Sequence, residues 1–255
     1  MASRIAAALR SKVFLMATLV AVSGAFGVTA NAQTLREGLF GLRPTDGRRM
    51  SPPPVGHYVS EEGAAFVLDR STTRPLLKYD SSPEVWALLS QPAPRGDVIY
   101  KNDLGEPVLR ATRLGGLTVF TSQRPGGSAA ALTGESQPLR LPAIGPQALL
   151  ERLAQASARA SRAAKRLIPF EADATPASAP LVADAAVVTA EAVVRIMRRP
   201  DSRTLLARFS KVKLVEGKKP AAALEQGVIR ITVNPALGLA GRPSSDRIIT
   251  VVDRK

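Results

Sequence analysis

The chain contains no cysteine, one histidine, one tryptophan and only 4% aromatic residues in 255. Without cysteine there is no disulfide, no lipid-acceptor thiol and no thiolate metal site, so the fold rests on a packed core alone. A histidine-based catalytic triad would have to use His57, and no Gly-x-Ser-x-Gly elbow accompanies it. Zinc sites need clusters of His and Cys, and calcium loops need closely spaced Asp and Asn around a glycine; neither occurs. No cofactor and no metal are therefore expected.

Long apolar runs are also missing, with one short exception. Residues 13–22 are apolar, follow Arg4, Arg10 and Lys12, break at Ser23, Gly24 and Gly27, and lead to Ala30-Asn31-Ala32. The order basic, apolar, small-x-small is that of a signal peptide, residues 1–32, cut after Ala32. Its apolar centre falls short of the ~20 residues of a spanning helix, so no transmembrane span is expected after cleavage. The expected address is the periplasm or the medium, with at most a peripheral attachment to the envelope.

What the chain does have is positive charge. It carries 35 basic and 21 acidic residues, a net of +14, which falls to +11 when the three basic residues of the leader are removed. Such a surface attracts polyanions. In an envelope compartment these are anionic lipid or polymer rather than a specific nucleic acid, with another envelope protein as the alternative partner. A merely solvated basic surface is the plainer reading, and the sequence does not speak to oligomeric state.

Along the chain, residues 33–55 are rich in Gly, Arg and Pro and read as an extended lead-in. Residues 56–122 hold short runs of strand formers at 57–60, 64–69, 75–79, 97–102, 108–114 and 117–121, separated by turn residues. This spacing predicts an antiparallel β meander folded as a small sandwich or half-barrel. Residues 81–89 resemble the opening of a helical turn. Gly115-Gly116 reads as a two-residue hairpin that sets Leu114 opposite Leu117, Thr112 opposite Val119 and Ala111 opposite Phe120. The segment 102–107, Asn-Asp-Leu-Gly-Glu-Pro, suits a chain reversal, because Asn and Asp bond nearby backbone and Gly is permissive. The alternative, Asp103 and Glu106 as a catalytic or metal-binding carboxylate pair, lacks further acids or histidine nearby in sequence.

Residues 123–145 read as a loop or linker, and 146–255 as an α+β part that either shares a core with the first part or builds its own. A helix is expected over 146–167, with Leu149, Leu153, Ala156, Ala160, Ala164 and Leu167 on one face and Arg152, Arg159, Arg162 and Arg166 on the other. The arginine ridge is a candidate contact for anionic lipid or polymer. Its alanine-rich reverse, with no Trp or Phe to insert, favours a solvated face instead. Residues 171–180 read as a connector, 181–199 as a buried helix ending in cations, and 202–209 as a short helix. Strands are expected at 211–215, 227–233 and 247–252, forming a small antiparallel sheet. The fold class is thus α+β: β meander, two long helices, small C-terminal sheet.

Two further motifs bear on chemistry. Ser210-Lys211-Val212-Lys213 matches the Ser-x-x-Lys of serine acyl-transfer enzymes, but it opens a strand and no Lys-Thr-Gly follows. The loop 238–247 gathers glycines, Ser244, Ser245, Arg242 and Arg247, all able to donate to an anion.

At GHYVSEEGAAFVLDRS (56–71), KNDLGEPVLRATRLGG (101–116) and GRPSSDRI (241–248), the chain resembles a family of uncharacterised exported alphaproteobacterial proteins, a domain of unknown function. The resemblance implies export and no recognised enzyme class, and it carries over no catalytic or binding residue. The leading expectation is a non-enzymatic binding or assembly protein with affinity for anionic envelope components. The anion-binding candidates are Arg242, Ser244, Ser245 and Arg247 in the loop, and Arg152, Arg159, Arg162 and Arg166 on the helix. The alternative is an envelope hydrolase or transferase using carboxylates or a Ser/Lys pair.

Overall fold

Three five-residue turns set the register of the first half. In residues 60–64, 102–106 and 112–116, the N–H of the first residue donates to the carbonyl of the fifth, at 2.9 Å from Ser60, 2.9 Å from Asn102 and 2.8 Å from Thr112. The side-chain oxygen of that first residue accepts the fifth residue's N–H, at 3.1, 2.9 and 2.9 Å respectively. The fourth residue is Gly63, Gly105 or Gly115, at φ +81°, +88° and +92°, where a Cβ would be strained. One device, a small polar residue three before a glycine, thus recurs along the chain.

The computed structural model describes residues 53–254; the expected signal peptide and most of the lead-in lie outside these. The strands are β1 (Val55–Ser60), β2 (Ala65–Asp69), β3 (Leu76–Tyr79), β4 (Val85–Ala87), β5 (Leu89–Ala93), β6 (Asp97–Lys101), β7 (Pro107–Ala111), β8 (Leu117–Val119) and β9 (Ser128–Glu135). They pair antiparallel throughout, in the order β4-β3-β2-β1-β9-β8-β7-β6-β5. The two end strands, β4 and β5, are separated in sequence only by the fully buried Leu88, so the sheet comes round nearly to a barrel. A row of aromatic rings lines its inner face, Tyr58 on Phe66 (5.6 Å), Phe66 on Tyr79 (5.7 Å) and Tyr79 edge-on to Trp86 (6.2 Å).

Three expectations fail here. The hairpin at the Gly pair turns over 112–116 rather than on the two glycines, so Ala111 faces Leu117 and Leu109 faces Val119, while Leu114 stands 84% exposed at the tip. Residues 123–145 are not all loop, because β9 lies between β1 and β8 and joins the two meanders. Its sequence, Ser-Ala-Ala-Ala-Leu-Thr-Gly-Glu, has little strand propensity, and the ladders on both sides override that. The helical turn expected near 81–89 is strand β4 instead.

The second half contains α1 (Pro146–Ala164), β10 (Phe170–Ala172), α2 (Ala179–Met197), α3 (Ser202–Ala207), β11 (Lys211–Glu216), β12 (Ala221–Glu225), β13 (Val228–Val233), a 3-10 segment (Pro235–Gly241) and α4 (Ser245–Asp253). Its sheet runs β10-β11-β13-β12. Only the β12/β13 ladder is antiparallel, whereas β10/β11 and β11/β13 are parallel, against the expected antiparallel sheet. The alanine-rich β12 lies between β11 and β13 in sequence and pairs antiparallel with β13, so β13 returns parallel to β11. Residues 247–252 form helix rather than strand. Ser244 caps α4 by accepting the N–H of Arg247 at 3.1 Å, and Ile248 and Val252, four apart, face the core. The run of β-branched residues suggested a strand; the capping serine and Asp246 in the first turn were the contrary signal.

Helix α2 is apolar on nearly every side and forms the centre of the second core, packed by α1, α3, α4, β11 and β13. Its three charged residues are each paired: Asp184 with Arg242, Glu191 with Arg159, and Arg195 with Asp246. None of the described helices is long and apolar enough to cross a membrane.

The halves meet where the chain leaves the 3-10 segment. Asn234 and Gly241 close that segment with an N–H to carbonyl bond of 2.7 Å, and a Cβ on Gly241 would come within 1.9 Å of the Asn234 carbonyl oxygen. The next residue, Arg242, is buried and lies between Asp184 and the fully buried Glu84 (3.7 Å), and it donates to the Val85 carbonyl at 2.9 Å. Ser245 donates its N–H (2.9 Å) and hydroxyl (2.5 Å) to the Glu84 carboxylate. Ser244 donates likewise to Asp103, at 3.0 and 2.6 Å. Arg247 bonds the carboxylate and carbonyl of Asp103 as well.

Two stability predictions follow from this seam. Gly241→Ala forces the 3-10 segment open and is expected to cost about 3 kcal/mol, a fall in Tm of roughly 6–12 °C in thermal unfolding followed by circular dichroism; an unchanged Tm would contradict the required close approach. Burial raises the Glu84 carboxyl above its ordinary 4.5, against the lowering pull of Arg242 and Ser245. A carboxyl whose folded value is raised contributes most below its unfolded value and loses that contribution as pH climbs through the folded one. Glu84→Gln should therefore gain in stability relative to the parent as pH rises from 4 to 7, read by urea unfolding at each pH. A difference that does not change with pH rules this out.

Candidate functional site

Two clefts flank the contact between α4 and the 102–106 turn. The first, about 380 Å³, is lined by Arg74, Trp86, Asn102, Asp103, Arg242, Ser244, Arg247 and Arg254. The second, about 730 Å³, is lined by Tyr79, Trp86, Leu104 and Phe120 from the barrel and by Arg195 and Ile249 from the helices. Helix α4 serves both, sending Arg247 and Val251 to the first and Asp246, Ile249 and Thr250 to the second. These two sets lie on different sides of a 3.6-residue helix. Trp86 and Asn102 line both clefts.

The arginines of the first cleft differ in how far they are used. Arg242 is neutralised by Asp184 and Glu84. Arg247 shares Asp103 with Ser244, and its Nη1 has no partner among the described residues. Arg74, just ahead of β3, has a buried Nε with no hydrogen-bond partner, and its guanidinium makes no ion pair among the described residues. A buried donor left unpaired costs about 1–3 kcal/mol.

The residues expected to bind anions are thus divided. Arg242, Ser244 and Ser245 spend their donors on the chain's own carboxylates, and Arg247 spends part of its own, so of these loop residues only Arg247 brings an unspent donor to the first cleft. On α1, Arg159 bonds Glu191; beyond its end, Arg166 donates to the Leu206 carbonyl (2.6 Å) and to that of Phe209, whose ring it covers at 5.4 Å. Arg152 and Arg162 are exposed and make no ion pair among the described residues. Residues 146–167 do not form one ridge, because the helix ends at Ala164 with Lys165 left-handed, and Leu167 is exposed rather than packed.

The carboxylate pair diverges: Asp103 goes to Ser244 and Arg247, Glu106 to the Asn102 amide at 2.9 Å. Lys213 pairs with Asp173 at 3.0 Å, while the Ser210 hydroxyl reaches only the Gly227 carbonyl, at 3.4 Å. His57 lies between Asp80 (3.0 Å) and the Thr133 hydroxyl (2.8 Å), the connectivity of a triad. Thr133 is the extra residue of a β-bulge and also donates to the His57 carbonyl at 3.0 Å. None of these three residues lines either cleft. Among the described residues, no group of three or more His, Cys, Asp and Glu is placed to hold a metal ion.

Sequence reasoning missed Arg74, Trp86 and Arg254. Only Trp86 had a signal, as the one tryptophan of an aromatic-poor chain.

No curated protein and no solved structure matches the chain significantly. The family model described as Domain of unknown function (DUF4908) matches residues 34–252, a span that takes in both halves, the seam and both clefts. The protein therefore belongs to the DUF4908 family.

Proposed function

We propose that the protein is a non-enzymatic binding protein, exported by its leader, that captures an anionic component of the cell envelope in the first cleft. The observation that carries this reading is Arg74, whose guanidinium makes no ion pair among the described residues, in a wall that also contains Arg247 and Arg254. The three guanidiniums come from opposite sides of the seam, so an anion between them gains several charge-assisted hydrogen bonds in a partly desolvated space. The hydrolase or transferase alternative has less support, because Asp103, Glu84 and Asp184 already accept bonds from the seam's own donors. Exposed Arg152 and Arg162 add long-range attraction to an anionic surface, which salt screens.

Two outcomes are expected. Inorganic phosphate titrated into the mature chain at low ionic strength should produce a saturable change in Trp86 emission, and Arg74→Ala should weaken it at least tenfold with Tm within a few degrees of the parent; equal affinity in the variant removes Arg74 from the site. In fractionated cells carrying a tagged copy, a form starting at Gln33 should stay with envelopes at low salt and leave as salt rises. Release by osmotic shock alone, without salt, rejects electrostatic attachment.

A further inference from the structure

The second cleft differs chemically from the first, and the difference bears on what the ligand is. Its charged lining is internally settled: Arg195 pairs with Asp246 (2.5 Å) and bonds the Ser245 hydroxyl (2.6 Å), Arg199 pairs with Asp201 (2.9 Å) and Asp253 (3.1 Å), and Glu106 accepts from Asn102. No lining charge is left to attract a second anion. What the cleft offers instead is ring and aliphatic surface from Tyr79, Trp86, Phe120, Leu104 and Ile249, partly exposed where a closed core would have covered it. At about 730 Å³ it falls within the roughly 300–1,000 Å³ of small-molecule sites. Of these two clefts the first thus holds the unpaired cation and the second most of the ring surface, with Trp86 and Asn102 common to both.

Resting on the anion reading above, we infer that the ligand is an anionic amphiphile. Its acidic head lies among Arg74, Arg247 and Arg254, and its apolar chain runs past Trp86 into the second cleft, between the barrel's aromatic row and Ile249 of α4. The ligand chemistry is a phosphate or similarly charged head on a hydrocarbon body. A head of this kind alone could equally be free phosphate, and chain length separates the two sources. Each methylene that leaves water should tighten binding roughly fourfold until the cleft is filled.

The test uses the mature chain and the emission of Trp86, the only tryptophan, with inorganic phosphate, butyl phosphate, dodecyl phosphate and neutral dodecyl maltoside, all below micelle formation. Dodecyl phosphate is expected to bind at least 100-fold more tightly than inorganic phosphate, with a blue shift of Trp86, and butyl phosphate to fall between them. Leu104→Asp, at a half-buried turn position, should weaken dodecyl phosphate at least tenfold and leave inorganic phosphate unchanged, while Arg74→Ala weakens both. If phosphate binds through Arg74 but chain length brings no gain, the amphiphile inference is overturned and the anion site stands. If dodecyl maltoside binds as tightly as dodecyl phosphate and Arg74→Ala has no effect, the cleft is an apolar site without a head group and the inference is again overturned. If neither phosphate nor dodecyl phosphate binds, both readings fall together.

Discussion

Arg242, buried between Glu84 of the barrel half and Asp184 of helix α2, is the contact on which the arrangement of the molecule depends. Taking such charges out of water costs several kcal/mol per ion, and the cost is offset only when geometry is good and the remaining donors and acceptors are satisfied. Here they are satisfied: Glu84 takes two bonds from Ser245, and Arg242 reaches the Val85 carbonyl. Removing one partner strands the other, so the seam tolerates little displacement. Because Ser244 and Ser245 are also the start of α4, the same contact fixes where that helix lies against the 102–106 turn. Both clefts are bounded by this helix.

The basic composition has a structural use before any functional one. A buried helix with three charges needs three counter-charges, and Arg159, Arg242 and the Arg195–Asp246 pair meet that need. Arginine suits these places because its planar fork bonds in several directions and remains protonated when buried. Arg166 shows the same economy, joining two carbonyls and a phenylalanine ring at once. A net positive charge read from composition therefore overstates the cation available to a ligand. Part of what remains available is local, at Arg74, Arg247 and Arg254 in the cleft and at Arg152 and Arg162 on α1, beside exposed cations such as Arg95, Arg113, Arg140, Arg203 and Arg230 that make no ion pair among the described residues.

How much of this was legible in the sequence varied with the range of the forces involved. Helices α1 and α2 and strands β1, β2, β6 and β13 follow from local periodicity and were readable. Strand β9 and the helical state of 245–253 were not, since one is imposed by neighbours on both sides and the other depends on a serine cap against a run of β-branched residues. The turn 102–106 was readable as a turn, with Asn102 bonding its own backbone as expected of that residue type. That Asp103 within it would bind Ser244 and Arg247 from 141 and 144 residues away was not, because sequence spacing carries no signal for such a pair. The loop 238–247 was recognisable as a set of donors for an anion. Its main anions proved to be carboxylates of the same chain, and Arg74 came to the cleft from a segment with no motif at all.

The seam and the proposed ligand site share parts, and this ties binding to stability. An anion held by Arg74 on one side and by Arg247 and Arg254 on the other joins the barrel half to α4 through a second set of charged bonds, beside those of Arg242. It also draws on Arg247, which Asp103 already holds, so the bound state trades part of an internal contact for an external one. A ligand that binds only the folded chain stabilises it by mass action, whatever its chain length. An apolar body in the second cleft adds to that by covering ring surface on Tyr79, Trp86 and Phe120, while the paired charges of Arg195 and Arg199 keep their partners. In this reading the two faces of α4 serve charge and hydrocarbon separately, and the helix that carries both is held at its start by Ser244 on Asp103 and Ser245 on Glu84.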